Sequence, residues 1–422
     1  MQKNELKYKA EKINITPLER LCLSGYSNST PFLEIEDELE INVIILAKNN
    51  DLICFISADL LFLSKEFCKL AINKLGIPKQ NIIMGATHTH SAPGIDRTKD
   101  KLGEVSADYC NFVLKKLSEL ISSLQSQRYK SVEIEYNKTT LNGSISRRKK
   151  AVVFRKKIIP HRGMYNYPNP QKKIDNQANF ISLKNSKGKL VALIWQFACH
   201  PVCNPDNYTV SSDFPGKIRK KIREFDGNIP ITFFQGFSGD IKPNSFDPCK
   251  KIKNKIVRYL NKGIAPFNSF GFQSKEAYNE WIEDKFLNIR KCLEQGSKKK
   301  NLSFNSSLVS FPLSKIYTKP NNEEKVEINI ISISTDIYFV SISAEVCNDV
   351  SKLIPLGKYN IIKIGCSNFT FGYLPTSAML DEGGYEVNGH QKYFDLVGNL
   401  KPEVDKIVHD ALVSGFEKVK EV

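Results

Sequence analysis

The chain has 422 residues, of which 41% are hydrophobic and 25% charged, so it has the composition of a soluble globular protein and is too long for one small core. Its 61 Lys and Arg residues outnumber its 45 Asp and Glu residues, and the net charge of +16 favours an anionic membrane surface, a phosphorylated substrate or nucleic acid as a partner. No run of about 18 apolar residues is present, which excludes a membrane-spanning helix.

The first third of the chain predicts a hairpin, two helices and a buried strand. Residues 40–63 form two apolar runs on either side of KNND, a pattern typical of a β-hairpin. Residues 64–76 and 106–124 carry apolar side chains at helical spacing. Between these helices, the run QNIIMGATHTH indicates a short buried strand that leads into a loop.

The middle of the chain begins with a basic segment. Residues 147–173 contain ten Lys and Arg residues and three prolines, and we expect them to form an exposed basic loop or flap. Residues 179–198 predict two strands, and residues 214–224 predict a helix. The run PITFFQG then predicts a further strand, with FSGDIKPN at its end.

The last third predicts a helix, three strands and a C-terminal helix. Residues 275–296 have helical spacing, and the polar residues 297–323 are the best candidate for a weak internal boundary. Residues 325–344 and the run IIKIGCS predict strands, and the last 20 residues predict a helix. We therefore expect residues 1–422 to form one domain of the mixed α/β class, with a large mixed β-sheet core and flanking helices.

The cysteines and the N-terminus bear on the location of the protein. Ten cysteines are scattered through the chain, mostly within apolar runs and without a compact disulfide spacing. The N-terminal run MQKNELKYKAEK is polar and is followed by no apolar segment, so we expect no secretory signal. These features favour a cytoplasmic protein that is at most peripheral to a membrane.

Polar motifs follow several of the predicted strands, at the point where each strand ends. These motifs are THTH, CHP, SGD, AE and FGYLPT. Functional sites collect at such strand ends, and a catalytic zinc ion takes about three protein ligands and one water. His88 and His90 are two residues apart and could share a face, with His200 on a neighbouring strand. A single histidine, or Glu345 alone, is more often a hydrogen-bonded structural residue, so the metal site depends on several of these groups converging.

These motifs, in their order along the chain, resemble those of the neutral ceramidase family of zinc amidases. GATHTHSAPG is the most specific of the motifs, and the resemblance extends over roughly residues 13–386. The other segments that carry it are ISRR, FACHPVCNPDN, QGFSGDIKPN, SAEVCND and NFTFGYLPTSAMLDEGGYE. The resemblance implies a zinc amidase catalytic domain that releases an amine and a carboxylic acid.

The resemblance also implies a role for each matching residue. The implied zinc ligands are His88, His200, Glu345 and Tyr373. The implied catalytic residues are His90 for acid–base or oxyanion work, Arg147 for substrate contact, Tyr385 beside the pocket, and Asp240, which would hold the loops of the site. Asp213 would orient a ligand histidine from outside the metal shell.

Three departures from the family pattern limit what the resemblance implies. Lys242 stands in GDIKPN where the family has a serine that has been proposed to act in catalysis. The further β-sandwich domain of some family members does not fit into residues 387–422. No secretion signal is evident, although secretion is usual for these ceramidases.

Three functional hypotheses remain open on the sequence alone. The first is a ceramidase-like zinc amidase that acts on an N-acyl lipid and contacts an anionic membrane surface. The second keeps the zinc chemistry but has a small polar N-acyl substrate, such as an N-acetylated sugar. The third is a basic protein that binds a membrane or nucleic acid and carries a vestigial metal site. Because the chain has no aromatic-interleaved nucleic-acid motif and no Gly-rich phosphate loop, we expect no nucleic-acid partner.

Overall fold

The computed structural model describes residues 5–26, 30–155, 159–204, 206–245, 270, 274–299, 301–320, 324–355 and 357–420. Strands and helices alternate through these residues, which confirms the expected mixed α/β class. The strands do not form one large sheet, because most of them belong to three separate sheets that share a core. Among the described helices, none is both long and apolar enough to cross a bilayer.

The first sheet has five strands in the order β5-β4-β3-β1-β6. The strands are β1 Lys7–Asn14, β3 Glu40–Lys48, β4 Asp51–Ala58, β5 Ile82–Ala86 and β6 Lys130–Ser131. Strands β3 and β4 pair antiparallel, which confirms the predicted hairpin, and β5 runs parallel to β4.

Two helices cover one face of the first sheet, α1 Lys65–Leu75 and α2 Ala107–Ser126. The side chain of Ser64 accepts a hydrogen bond from the backbone N–H of Phe67 and starts α1, and Gly76 ends it in the left-handed conformation at φ 66°. The buried residues of α2 recur every three or four positions from Tyr109 to Leu124, so one face of that helix packs on the sheet. Both predicted helices are confirmed.

The second sheet has the strand order β13-β11-β10-β7-β15. Its strands are β7 Glu133–Thr140, β10 Gln177–Lys184, β11 Leu190–Phe197, β13 Ile231–Gln235 and β15 Ser297–Lys299. Helices α3 Asp213–Asp226 and α4 Lys275–Glu294 pack on its outer face. Strands β11 and β13 are parallel, so their C-terminal ends lie side by side.

The third sheet has the order β16-β18-β19-β21 and is covered by the C-terminal helix α5 Val404–Lys420. Its strands are β16 Leu302–Pro312, β18 Lys325–Ser334, β19 Ile337–Ile342 and β21 Asn360–Ile364. Strand β16 lies within the polar segment 297–323, and its pairing with β18 ties residues 302–312 into the sheet. Residues 300 and 321–323 of that segment lie outside the described part.

The remaining strands form four small sheets. Three of them are the pairs β2 Glu34–Ile35 with β12 Thr209–Val210, β17 Tyr317–Lys319 with β23 Val397–Leu400, and β20 Glu345–Val346 with β22 Tyr373–Leu374. The fourth joins β8 Ser144–Arg155, β9 Ile159–Asn169 and β14 Ile241–Pro243. The segment 147–173 is therefore mostly an antiparallel ribbon, so of the two expected forms, a loop or a flap, the loop is wrong. Residues 156–158 of that segment lie outside the described part.

The three large sheets meet face to face around one apolar core. Phe55 of β4 contacts Phe339 of β19 with ring centroids 4.8 Å apart, and it contacts Phe234 of β13 at 6.2 Å. All three side chains are fully buried. This junction fixes the sheets relative to one another, and it therefore fixes the relative positions of the loops that leave their strand ends.

Candidate metal centre

Three of the strand ends identified in the sequence come together at one edge of this junction. His88 follows β5 of the first sheet, His200 follows β11 of the second, and Glu345 follows β19 of the third. All three side chains are buried. The fourth expected ligand, Tyr373, lies beside Glu345, because the two residues are direct partners in the parallel pairing of β20 with β22.

The ligand atoms of these residues point at one another. His88 Nε2 lies 3.3 Å from His200 Nε2, and Glu345 Oε2 lies 3.2 Å and 3.4 Å from these two nitrogens. These distances show the convergence on which the metal site expected from the sequence depends. Although the two histidines are 112 residues apart in the chain, their rings face each other edge to face with centroids 4.8 Å apart.

Backbone carbonyls hold both histidines in one tautomer. His88 Nδ1 donates to the carbonyl of Leu61 at 3.0 Å, and His200 Nδ1 donates to the carbonyl of Ser238 at 2.8 Å. Because Nδ1 carries the proton in each ring, Nε2 presents its lone pair to the centre. His88 itself has a positive φ of 69°, an uncommon conformation for a residue other than glycine and one that places its ring at the strand end.

This arrangement fits a cation. Two nitrogen lone pairs and a carboxylate oxygen converge without a proton to share, and Glu345 Oε2 has no hydrogen-bond donor in the described structure. A tetrahedral centre with bonds of about 2.0–2.1 Å has ligand atoms about 3.3–3.4 Å apart. The observed separations agree with that spacing, so His88, His200 and Glu345 could hold a metal.

His90 lies beside this centre with its ring 5.0 Å from that of His88 and 5.8 Å from that of His200. Its ring nitrogens have no hydrogen-bond partner among the described residues. Burial and the neighbouring His88 hold its pKa well below the ordinary value. The three histidines could also form a metal-binding group, since one nitrogen of each lies within 4.8 Å of the others. The site thus offers Glu345 and His90 as alternative third ligands, of which the sequence favours Glu345.

A buried network of charges surrounds Tyr373. Its hydroxyl accepts a hydrogen bond from Arg147 Nη2 at 3.1 Å, and Arg147 Nε donates to Glu386 Oε1 at 2.8 Å. Arg148 Nη1 donates to the other oxygen of the same carboxylate at 2.7 Å. Glu386 therefore fixes Arg147 against the candidate ligand Tyr373. Glu386 was missed in the sequence, although it directly follows Tyr385 in the GGYE motif.

Tyr385 and Asp240 occupy different positions around the centre. Tyr385 is 37% exposed and its ring lies 5.4 Å from that of Tyr373, so the surface at Tyr385 is the candidate opening of the site. Asp240 is buried, and its Oδ1 accepts a hydrogen bond from the backbone N–H of Asn348 at 2.7 Å. Its backbone carbonyl also accepts from the N–H of Arg147. Asp240 thus joins loops of the site, as the sequence suggested.

The expectation that Asp213 orients a ligand histidine is wrong. Its Oδ2 accepts hydrogen bonds from the backbone N–H groups of Cys203 and Asn204, at 2.9 Å and 3.0 Å. The Nδ1 position of His200 is occupied by backbone carbonyls instead. Asp213 therefore shapes the turn after His200, and burial raises its pKa to about 6.

Two further residues near the centre, Lys242 and Cys366, are not part of the expected ligand set. Lys242 lies in β14 next to Ile241, whose carbonyl accepts from His200 Nδ1 at 3.1 Å. Burial and the nearby charge of Arg147 lower the pKa of Lys242 to about 8. The buried thiol of Cys366 interacts with His88, and no motif in the sequence indicated that contact.

Comparison with known proteins relates this architecture to solved structures. No protein-family model and no curated protein matches the sequence. The neutral ceramidase from Pseudomonas aeruginosa superimposes with a TM-score of 0.74 and 15% sequence identity, covering 99% of this chain and 75% of that one. A structure described as ceramidase complexed with C2 gives a TM-score of 0.73 at 15% identity, covering 99% of this chain and 76% of its own. The chain therefore has the neutral ceramidase fold over nearly its whole length.

Proposed function

We propose that this protein is a zinc-dependent amidohydrolase that cleaves the N-acyl amide bond of a ceramide-like lipid. The observation that carries the proposal is the convergence of His88, His200 and Glu345 at 3.2–3.4 Å within the neutral ceramidase fold. Two imidazoles and a carboxylate are a donor set typical of catalytic zinc, which keeps one position for water. Tyr373 completes the proposed set, as the sequence resemblance implied.

The residues of the chain would divide the work around the bound ion. When bound, zinc supplies a Lewis acid that polarises the amide carbonyl and makes water more acidic. His90 has two free ring nitrogens, so it would take a proton from water at one nitrogen and return a proton to the leaving amine. Arg147 and Tyr385 would donate hydrogen bonds to the developing oxyanion, and such preorganised donors contribute about 3 kcal/mol each.

Metal analysis combined with an amine-release assay tests this function. The substrates are ceramides of short and long acyl chain, assayed before and after chelation and after zinc is restored. We expect near-stoichiometric zinc, chelator-sensitive amine release, and loss of both in a His88→Ala, His200→Ala variant. His409→Ala is the matched control, because His409 lies on α5 and donates to the carbonyl of Leu353, away from the centre. Zinc-free protein that is fully active would contradict the proposal.

A second candidate substrate is a small polar N-acyl compound that carries an anion. Lys242 favours it, because this cation stands where the family has a serine, and the charge of Arg147 acts on it and lowers its pKa. N-acetylated sugars and N-acyl amino acids assayed beside ceramides distinguish the two substrates. If the substrate is anionic, Lys242→Ser will raise KM for it without changing zinc content. If ceramide is the substrate, the same variant will leave KM for ceramide within about twofold.

The location proposed for this enzyme is the cytoplasm. Nine cysteines lie in the described part of the chain, all of them are buried, and no two of them form a disulfide with each other. Cysteines of this kind support a reducing compartment. Measuring the number of free thiols in denatured protein from cells lysed under alkylating conditions tests this location.

A further inference from the structure

The ribbon formed by β8 and β9 carries features that the candidate centre does not use. Strand β14 pairs only with the first residues of β8, Ser144–Ser146. Beyond Ser146, β8 pairs with β9 alone, and within the described residues no strand covers the other edge of β9. At about 3.3 Å per residue, the stretch from Ser146 to Arg155 is about 30 Å long. The outer part of this ribbon thus has strand edges that pair with no other described strand.

The charge of the ribbon has one sign. No Asp or Glu occurs between Glu135 and Asp175, whereas residues 147–173 contain ten Lys and Arg residues. Arg147 and Arg148, at the base, form ion pairs with Glu386, and Arg148 also pairs with Glu382. Farther out, Lys150 and Arg162 are exposed. The two arginines at the base of the ribbon are therefore balanced by two carboxylates, whereas Lys150 and Arg162 present positive charge at the surface.

Apolar and aromatic side chains accompany these cations. Val152 is 45% exposed and pairs directly with Arg162 across the ribbon, next to the pair formed by Lys150 and Met164. Tyr165 and Tyr167 stack on each other at 5.6 Å. Cations with interspersed apolar and tyrosine side chains match the headgroup region of an anionic bilayer. A nucleic-acid backbone offers nothing for the apolar groups to bury against.

The ribbon is joined to the opening of the centre. Arg148 at its base donates to Glu382 and to the carbonyl of Gly383, and Met164 packs against Gly384. The exposed ring of Tyr385 follows immediately. A surface that binds the outer ribbon would therefore lie close to the opening of the site.

We propose that the β8–β9 ribbon docks the protein on anionic lipid bilayers. Lys150 and Arg162 contact the lipid headgroups while Val152 enters the interface, so the opening at Tyr385 faces the membrane. Docking itself does not depend on the proposed amidase function. Only the expected gain in catalysis on a membrane-embedded substrate rests on that function. A failure of either one can therefore be told apart from a failure of the other.

Co-sedimentation of the full-length protein with vesicles tests the proposal. The vesicles consist of phosphatidylcholine with phosphatidylserine, or of phosphatidylcholine alone. Each surface cation contributes about fivefold to binding of an anionic membrane, so a Lys150→Gln, Arg162→Gln variant is expected to bind the mixed vesicles about 25-fold more weakly. The matched control, Lys115→Gln with Lys187→Gln, removes the same charge from exposed positions on α2 and on the turn between β10 and β11. We expect it to change binding by less than about twofold.

Three outcomes would overturn the proposal. They are equal binding to both kinds of vesicle, equal weakening by the ribbon variant and the control, and ribbon-dependent binding of single- or double-stranded DNA without binding of vesicles. If the amidase function also holds, the ribbon variant will lose activity on ceramide in mixed vesicles and keep it on ceramide in neutral detergent micelles. Absence of activity in every format, together with vesicle binding, would remove the enzyme function and leave the docking surface.

Discussion

Substituting Gly25 with alanine tests whether the position of His90 matters for catalysis. A Cβ atom at Gly25 would lie 2.3 Å from Nδ1 and 2.7 Å from Cγ of His90. Carbon atoms in contact are normally about 3.5 Å or more apart, so the imidazole has to move by roughly 1 Å. A displacement of about 1 Å at a reacting group costs about 100-fold in rate. We therefore expect kcat of Gly25→Ala to fall about 100-fold while the zinc content is retained.

Backbone strain contributes to the same variant and has to be separated from the displacement. Gly25 has φ +113°, and a side chain in such a conformation costs about 1–3 kcal/mol. For 422 residues the unfolding entropy is about 0.9 kcal/mol per degree, so this strain lowers Tm by about 1–3 °C. Gly188→Ala is the matched control, because Gly188 has φ +74° and no described atom within 4 Å of its Cβ position. The control carries the strain without the contact.

Steady-state kinetics on the substrate identified in the amine-release assay provide the measurement. If the contact acts through His90, Gly25→Ala will lower kcat far more than Gly188→Ala does. It will also have little further effect in a His90→Ala background. A Gly25→Ala enzyme with the kcat of the control would refute the reasoning, as would an undiminished effect in the absence of the His90 imidazole.

Three other changes have expected results that follow from the same structure. Chelation should lower Tm by about 5 °C and zinc should restore it, because a ligand at a thousand times its Kd stabilises a protein by about 4 kcal/mol; an unchanged Tm would argue against a bound metal. Glu386→Gln should cost about 3–5 kcal/mol, since it leaves the buried Arg147 and Arg148 without their shared carboxylate. Glu382→Gln, at a carboxylate that is 38% exposed, should cost less than about 1 kcal/mol, and equal losses in calorimetry would contradict this assignment. Lys242→Met should stabilise the protein by up to about 3 kcal/mol at pH 7, because the pKa of Lys242 is lowered from 10.5 to about 8 and the folded state disfavours its charged form. The cost of the charged Lys242 disappears as the pH rises past the pKa of the unfolded state. Denaturant unfolding at pH 11 should therefore show no stabilisation by Lys242→Met. A stabilisation that persists at pH 11 would rule out the charge as its cause.

Local apolar patterns predicted several elements. The hairpin of β3 and β4 was predictable from its two apolar runs, and the helices α1 and α2 were predictable from apolar spacing and from capping residues such as Ser64. The β8–β9 ribbon was not predictable, because its basic sequence has no regular apolar alternation. Lysine-rich sequence therefore suggested a loop where the chain is extended and paired.

The candidate centre was likewise predictable from the sequence only in part. His88, His200 and Glu345 were recognisable because each follows an apolar strand, and strand ends gather at one edge. The groups that orient them were not recognisable, since they are the backbone carbonyls of Leu61 and Ser238, which any residue could provide. For the same reason the role expected of Asp213 was wrong. Asp213 was expected to accept a hydrogen bond from a ligand histidine, but Nδ1–H of His200 donates to backbone carbonyls instead.

The three candidate ligands follow strands of three different sheets, and this has a consequence for how the protein would mature if it binds the proposed ion. No fragment of the chain that lacks any one sheet contains all three candidate ligands, and the junction at Phe55, Phe234 and Phe339 has to close before their side chains approach one another. A growing polypeptide would thus have no high-affinity place for an ion until the strand before Glu345 is in register. Capture of the ion would then be a late event in folding, and the loaded state would mark a chain whose assembly is complete.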